Sequence, residues 1–189
     1  MDSRVADICD FWLKTVGPEG WYRSDPELDR QITERFGHDW GIARRGGYDC
    51  WSSRPRTCLA LLILLDQFPR NMFRENSDAF STDLKAVGIS HLAIKLGHDL
   101  RIDMPARQFF YLPFMHSEAL AQQDRAVRLF MSNDPEGGNL VHARAHRWVI
   151  RKFGRFPYRN AALGRPSSAE ESAFLDAGGY GAAMRAVAK

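Results

Sequence analysis

The side chains of this sequence best suited to binding or proton transfer lie beside three prolines. Phe68–Asn71 reads FPRN, Phe156–Asn160 reads FPYRN, and Leu112–Glu118 reads LPFMHSE. Proline biases the residue before it away from the helical region, so each motif is predicted to lie where the chain leaves a helix. Two arginines held on such a fixed backbone, Arg70 and Arg159, could clamp a carboxylate or phosphate. The motifs therefore predict a site for an anion.

The two arginine motifs also have a purely structural interpretation. An arginine at the end of a helix can donate to the last carbonyl groups, which lack partners within the helix. Asp66 could also pair with Arg70 inside the fold. One such motif alone favours a helix stop. With two such motifs and the basic segment described below, the two interpretations, a helix stop and an anion clamp, are equally well supported.

The third motif offers a histidine and a carboxylate. His116 could act as a general base, with Glu118 as the carboxylate that orients it. Residues two apart do not face each other on a helix, so this pairing requires His116 to lie outside the helix. Ser117 is expected to cap a helix at this point. The alternative is a Glu118 that serves the helix dipole and a His116 bonded to the backbone.

These motifs and their neighbours supply residues that helical hairpins could bring into one concave pocket. We predict that His116 and Glu118 are catalytic. The predicted ligand-binding residues are Asp66, Arg70, Asn71, His146, Arg155, Arg159 and Asn160. The four residues expected to line one common cleft are Arg70, His116, Arg155 and Arg159.

A metal or cofactor is not expected. His142 and His146 stand four residues apart, a spacing that can hold zinc on one helical face. Arg144 and Arg147 flank them and oppose a cation, and no acidic residue lies between them. We therefore predict no metal site. The sequence contains no phosphate-binding P-loop and no dinucleotide-binding fingerprint, so no cofactor is predicted either.

The distribution of charge favours an anionic partner. The chain has 26 basic and 23 acidic residues, and its net charge of +3 is too mild to imply nucleic acid. Residues 137–169 contain no aspartate or glutamate. The basic residues of this segment are Arg144, Arg147, Arg151, Lys152, Arg155, Arg159 and Arg165. The alternative is that acidic residues from elsewhere in the fold balance them.

Cysteine usage and hydropathy predict a soluble cytoplasmic protein. The three cysteines include no C-x-x-C pair, which argues against a disulfide framework. The N-terminus is acidic and does not resemble a signal peptide. The longest apolar run, Cys58–Leu65, is far shorter than the roughly 20 residues of a membrane span, so no membrane partner is expected. The oligomeric state is left open.

Helical spacing of apolar residues dominates the chain. We predict an all-α fold, an array of antiparallel helical hairpins with about eight helices, in one domain over residues 1–189 with 178–189 at its periphery. Cys58–Leu65 is apolar all round and is placed at the centre. The predicted helices begin near Ser3, Asp25, Ser53, Ser81, Pro105, Ser117, Asn139 and Ser168.

Several ordered segments of the chain resemble the bacterial domain-of-unknown-function family numbered 924. They are ERFGHDW (Glu34–Trp40), LLDQFPRNMFR (Leu64–Arg74), FFYLPFMHSE (Phe109–Glu118), KFGRFPYRN ending at Asn160, and LGRPS (Leu163–Ser167). The resemblance covers about residues 7–175. It implies a helical fold similar to tetratricopeptide superhelices and no established activity. The family pattern usually reads FPHRN where this chain has Tyr158, which puts an acid–base role at that position in doubt.

Two functions fit these observations. One is a pocket for an anionic small molecule, a carboxylate or phosphate, in which His116 would transfer protons if the protein is an enzyme. The other is a tetratricopeptide-like binding module that takes a peptide, for example by its carboxylate, in an arginine-lined groove. A closed cluster of the motif residues would favour the first function, and an open groove would favour the second.

Overall fold

The computed structural model of the protein describes residues 3–188, and no β-strand occurs among them. The predicted all-α fold is therefore confirmed. Eight α-helices in this part of the chain contain eight residues or more. None of the described helices is both long and apolar enough to cross a membrane. The superhelical arrangement stays a prediction.

The chain divides into two compact units. The first comprises the chain up to Arg74 together with Asp78–Phe110, and the second comprises Glu75–Ser77 together with the chain from Tyr111 onward. Each unit is described by itself, and the single-domain organisation stays a prediction. Short 3₁₀ turns connect the helices: Asp49–Ser53, Ser77–Phe80, Asp99–Arg101, Ala106–Phe110 and Pro157–Arg159.

The first unit contains the longest helix of the described chain. Its α-helices are α1 (Ser3–Asp10), α2 (Gly17–Gly20), α3 (Pro26–Arg44), α4 (Pro55–Leu62), α5 (Phe68–Met72) and α6 (Asp83–Lys95). Asp25 caps α3 as predicted, because its carboxylate accepts from the backbone N–H groups of Glu27 and Leu28 at 3.0 and 3.3 Å. The prediction of a helix from Pro105 to Pro113 is wrong, because only the 3₁₀ turn Ala106–Phe110 forms there. The next helix already begins at Leu112, so too few residues remain between Pro105 and that helix for an independent one.

Large aromatic rings fill the core of the first unit around its central helix. Phe68 stacks on Phe36 with 4.8 Å between ring centroids, and Trp12 meets Phe68 edge-on at 5.5 Å. Every residue of Cys58–Leu65 is at most 2% exposed. The predicted central position of this apolar segment is therefore correct.

The central helix does not end at the first proline motif. It continues as a π-helical segment, Ile63–Gln67, and then as α5, so the predicted helix exit at Phe68 is wrong. Pro69 has no N–H to donate to the carbonyl of Leu65, four residues back. That carbonyl accepts instead from the hydroxyl of Thr82 at 2.6 Å. A wider turn and a side-chain donor thus carry the helix past the proline.

The second unit is built on α9. Its α-helices are α7 (Leu112–His116), α8 (Leu120–Asn133), α9 (Asn139–Phe153), α10 (Ala169–Asp176) and α11 (Tyr180–Val187). The range of α9 is the predicted one, and Gly154 ends it in the left-handed conformation with φ of 72°. Ser168 and Glu171 form the predicted capping box at the start of α10.

The helix boundaries around His116 differ from the prediction. Pro113 lies in the first turn of α7, where its fixed φ and missing N–H are tolerated, and His116 is the last residue of that helix. Ser117 has extended backbone and does not cap the next helix, which begins at Leu120. Its hydroxyl instead accepts from the backbone N–H of Ala119 at 3.2 Å. His116 therefore lies at a helix end, in the chain that turns toward α8.

The C-terminal segment, expected at the periphery, contains α11. This helix packs against α9, and Ala183 on it is fully buried. The first residue of α11, Tyr180, reaches His142 on α9. The packing of α11 thus brings a tyrosine to the part of the second unit that also holds the predicted site histidines.

Candidate functional site

The second unit gathers titratable and aromatic side chains from four elements. His116 ends α7, two histidines project from α9, the 3₁₀ turn Pro157–Arg159 adds a tyrosine and an arginine, and α11 adds a second tyrosine. We call this set the histidine cluster: His116, His142, His146, Phe156, Tyr158, Arg159 and Tyr180. Its members span 65 sequence positions, from 116 to 180, and only the fold brings them together.

His146 lies at the centre of the histidine cluster. Its ring centroid is 4.9 Å from that of Tyr180, 5.4 Å from Phe156 and 6.3 Å from His116. Its Nδ1 lies 2.9 Å from the backbone carbonyl oxygen of His142. A carbonyl can only accept, so Nδ1 carries the proton and donates, and Nε2 of the neutral ring keeps its lone pair. The fold therefore presents His146 as an acceptor.

The electrostatic surroundings keep His146 neutral. Burial lowers the pKa of this imidazole, and repulsion by Arg159 and by the protonated forms of His116 and His142 acts in the same direction. The hydrogen bond to the carbonyl of His142 opposes these effects without outweighing them, and the pKa falls to about 3. At neutral pH the ring is thus an uncharged base next to a cation.

His142 and Tyr180 form a hydrogen-bonded pair behind His146. Nδ1 of His142 lies 2.6 Å from the hydroxyl oxygen of Tyr180, and the two rings are nearly parallel. Burial lowers the pKa of His142 and raises that of Tyr180 to about 12, so both groups are neutral at pH 7. A tyrosine hydroxyl can donate or accept, so the pair holds the imidazole in place in either tautomer.

Arg159 supplies the positive charge of the histidine cluster. Arg159 is only 8% exposed, and one of its guanidinium nitrogens donates to the carbonyl of His116 at 3.0 Å. The guanidinium carbon lies 4.6 Å from the ring centroid of Phe156. Phe156 has extended backbone after the end of α9, as predicted for the residue before Pro157. The second proline motif thus lies at a helix exit, and its arginine points into the cluster.

Tyr158 lies at the edge of the histidine cluster. It is 37% exposed, stacks on Phe156 at 5.3 Å and meets Tyr180 edge-on at 6.3 Å. It therefore adds an aromatic wall with a hydroxyl near solvent.

Glu118 braces the loop that carries Arg159. Its carboxylate accepts two hydrogen bonds from Arg165, at 2.7 and 2.9 Å, and one from the backbone N–H of Phe156 at 2.8 Å. Burial would raise the pKa of Glu118, but these bonds outweigh it and lower the pKa. These contacts hold Glu118 as an anion that positions the FPYRN loop, and they do not orient His116.

Two further predicted site residues belong to a neighbouring network. Arg155 donates to both carboxylate oxygens of Glu171, at 2.6 and 2.8 Å, and to the carbonyl of Pro166 at 2.8 Å. Arg155 lowers the pKa of Glu171 to about 2. Asn160 donates to the hydroxyl of Ser167 at 3.0 Å. These bonds fasten the loop between α9 and α10.

Acidic residues from other elements balance much of the basic segment. Arg147 and Arg151 lie 3.3 and 3.7 Å from the carboxylate of Asp124 on α8. Lys152 lies 3.4 Å from Glu170 on α10. These basic residues are therefore balanced by acidic residues from elsewhere in the fold, which is the alternative given above. Arg159 is the member of the segment that enters the histidine cluster.

The residues of the first proline motif lie in the first unit. Arg70 donates to the carbonyl of Asp66 at 2.5 Å and to the carboxylate of Asp83 at 2.9 Å. The carboxylate of Asp66, 1% exposed, is 3.5 Å from the same guanidinium. Asn71 donates to Asp29 at 2.8 Å. These are the contacts that the structural interpretation of FPRN describes.

The structure therefore groups some of the predicted site residues and separates others. His116, His146 and Arg159 come together in the second unit. The common cleft that would join them to Arg70 combines residues of both units and stays a prediction. Sequence reasoning weighed His142 only as a metal ligand and missed Tyr180. Among residues 3–188, no group of three or more histidine, cysteine, aspartate or glutamate side chains is arranged to hold a metal ion.

Comparison with known proteins assigns a family to this arrangement. A family model described as "Bacterial protein of unknown function (DUF924)" matches residues 8–179. The chain belongs to this family. A solved structure of a protein of unknown function from Agrobacterium tumefaciens is similar to this DUF924 chain, with 42% identity and a TM-score of 0.86. The match covers 92% of this chain and 97% of that one. No curated protein matches the chain.

Proposed function

We propose that this DUF924 protein binds a small anionic molecule, a carboxylate or phosphate, through the histidine cluster. One observation carries the proposal: a neutral imidazole with a fixed tautomer, His146, lies beside the guanidinium of Arg159 and the ring of His116. The guanidinium attracts the anion, and the imidazole accepts a hydrogen bond from any protonated oxygen that the ligand carries.

The same arrangement supports proton exchange with the ligand. An anion bound near His146 brings a negative charge next to the imidazole, and this raises its pKa. The ring of His116, 6.3 Å away, is close enough to reach the same small ligand. His116 and His146 are then the acid–base pair of the site, in place of the predicted pair of His116 and Glu118.

The contacts of the other arginines favour a small ligand over a peptide. A peptide groove needs a row of donors along its length. Arg155 and Arg165, the nearest candidates for such a row, are occupied by Glu171 and Glu118. The ring of Tyr158, stacked on the buried Phe156 and 37% exposed, instead offers one flat aromatic wall in the turn that carries Arg159, which suits a compact organic anion.

Thermal-shift measurements with phosphate, sulfate and small carboxylates test this function. A bound anion at about 100 times its Kd adds about 2.7 kcal/mol of stability, which corresponds to roughly 5–11 °C in a chain of this size. We expect His146→Gln and Arg159→Gln to lose this shift relative to their own midpoints. Arg144→Gln removes the same charge from an exposed position on α9 and should retain the shift. Equal responses of Arg144→Gln and Arg159→Gln would contradict the proposal.

A further inference from the structure

Helix α6 of the first unit buries small side chains and exposes large apolar ones. The residues on its buried face are Ala86, Val87, Ser90 and Ala93. The leucines on its outer face are Leu84, Leu92 and Leu96, which are 85%, 41% and 47% exposed. A helix that is apolar on both faces is normally covered on both, and exposed apolar patches mark interaction sites. The outer face of α6 therefore has the composition of an interface.

The exposed leucines of α6 and of its C-cap form one ridge with a gap in it. Leu84, Gly88, Leu92 and Leu96 are spaced by four, so they line a single i, i+4 row about 18 Å long. A Cβ atom added to Gly88 would meet nothing within 4 Å, so the gap opens outward. Leu100, 63% exposed in the next turn of chain, adds further apolar surface.

We propose that two copies of this chain associate through the α6 ridge, antiparallel across a two-fold axis. The axis passes between Gly88 and Leu92, so each Leu92 enters the gap at Gly88 of the other copy. Leu84 of one copy then lies against Leu96 of the other. The ridge is self-complementary in this register because its single gap and its central leucine are equidistant from the axis. Rows spaced by four pack together when two helix axes cross at about 50°.

The area of the ridge predicts a weak dimer. The exposed fractions of its three leucines and of Leu100 amount to about 2.4 whole residues. At roughly 120 Å² of apolar surface per leucine, each copy offers about 300 Å². Because interfaces are about 60% apolar, two copies would bury roughly 900–1,000 Å² in total. This is below the roughly 1,200–2,000 Å² of stable specific interfaces and within the range of weak, transient ones, so association depends on concentration.

Sedimentation velocity between about 5 µM and about 500 µM tests the dimer. We expect the wild-type mass to rise from that of one chain, 21.5 kDa, toward twice that value. Leu92→Glu should remain monomeric. Leu120→Glu is a matched control, because Leu120 is an equally exposed leucine of the second unit at 43%, and it should dimerise as the wild type does.

A variant that fills the gap separates self-association from folding. Gly88→Leu has open space in the monomer and favours the helix, so its melting temperature should equal or exceed that of the wild type. Its self-association should nevertheless be lost, because Leu92 of the other copy no longer fits. Stronger association of Gly88→Leu would overturn the register. A wild type that stays monomeric at all these concentrations would overturn the dimer. The same holds if the monomeric wild type binds vesicles of equal phosphatidylcholine and phosphatidylserine instead.

Discussion

Acidification from about pH 7.5 to about pH 5.5 should destabilise the fold through His146. The surroundings of this ring lower its pKa from an ordinary 6.5 to about 3. At the lower pH the unfolded chain binds a proton that the folded chain does not, so stability falls as the pH falls below 6.5. With these two pKa values, the free energy of unfolding decreases by about 1 kcal/mol. For a chain of this size, the melting temperature decreases by roughly 2–4 °C.

A comparison of wild type with His146→Gln isolates the contribution of His146 to this loss of stability. Each protein is unfolded with urea at both pH values, and unfolding is followed by tryptophan fluorescence. The pKa values of Glu118 and Glu171 are lowered from their ordinary value of 4.5. The stability that these carboxylates give the protein is therefore lost only as the pH falls below 4.5. The pKa of His142 is also lowered by burial, but this residue is present in both proteins and its effect cancels. We expect the wild type to lose about 1 kcal/mol more than the variant. Equal losses would refute the neutral, buried state of His146.

Two further substitutions test the polar contacts that support the fold and the site. Glu118→Gln should lower the free energy of unfolding by about 2 kcal/mol, because the charged bonds to Arg165 are lost, yet phosphate should still raise its midpoint. Loss of the phosphate response at unchanged stability would assign Glu118 to the ligand. Thr82→Val removes the hydroxyl that donates to the buried carbonyl of Leu65 and should cost about 1–3 kcal/mol in urea unfolding. Thr33→Val removes a similar bond on an exposed face and should cost less than about 0.5 kcal/mol, so equal costs would contradict this reasoning.

Helix ends that depend on neighbouring residues could be predicted from the sequence. Asp25 with Pro26, Gly154, and the pair of Ser168 and Glu171 all lie where the sequence placed them. In each case the deciding interaction spans three residues or fewer, or is the backbone preference of one residue. Such signals are readable because tertiary packing does not have to supply the partner.

Helix continuity at the prolines could not be predicted in the same way. The sequence predicts helix exits around Pro69 and Pro113, whereas both prolines lie in the first turns of helical segments. At Pro69 the chain continues because Thr82, 17 positions from the carbonyl that it serves, supplies the missing donor. A donor that distant in sequence depends on the fold of the whole unit.

The candidate site shows the same division. His116, His146 and Arg159 were predicted from residue type and motif, and the second unit brings them together. The carboxylates that occupy the other arginines could not be assigned, because unlike charges at distant positions pair only once helices pack. Tyr180 lies in a segment with no recognisable motif, and only the packing of α11 on α9 brings it to the cluster.

The most direct test of anion binding at the histidine cluster is an NMR titration of ¹⁵N-histidine-labelled protein with phosphate at slightly acidic pH. We predict that the Nε2 resonance of His146 moves saturably toward the protonated position as phosphate binds, because the anion raises the pKa of this imidazole. The same resonance should move little in Arg159→Gln and as in the wild type in Arg144→Gln. A His146 resonance that stays fixed in the wild type, or that responds equally in both variants, would contradict the site.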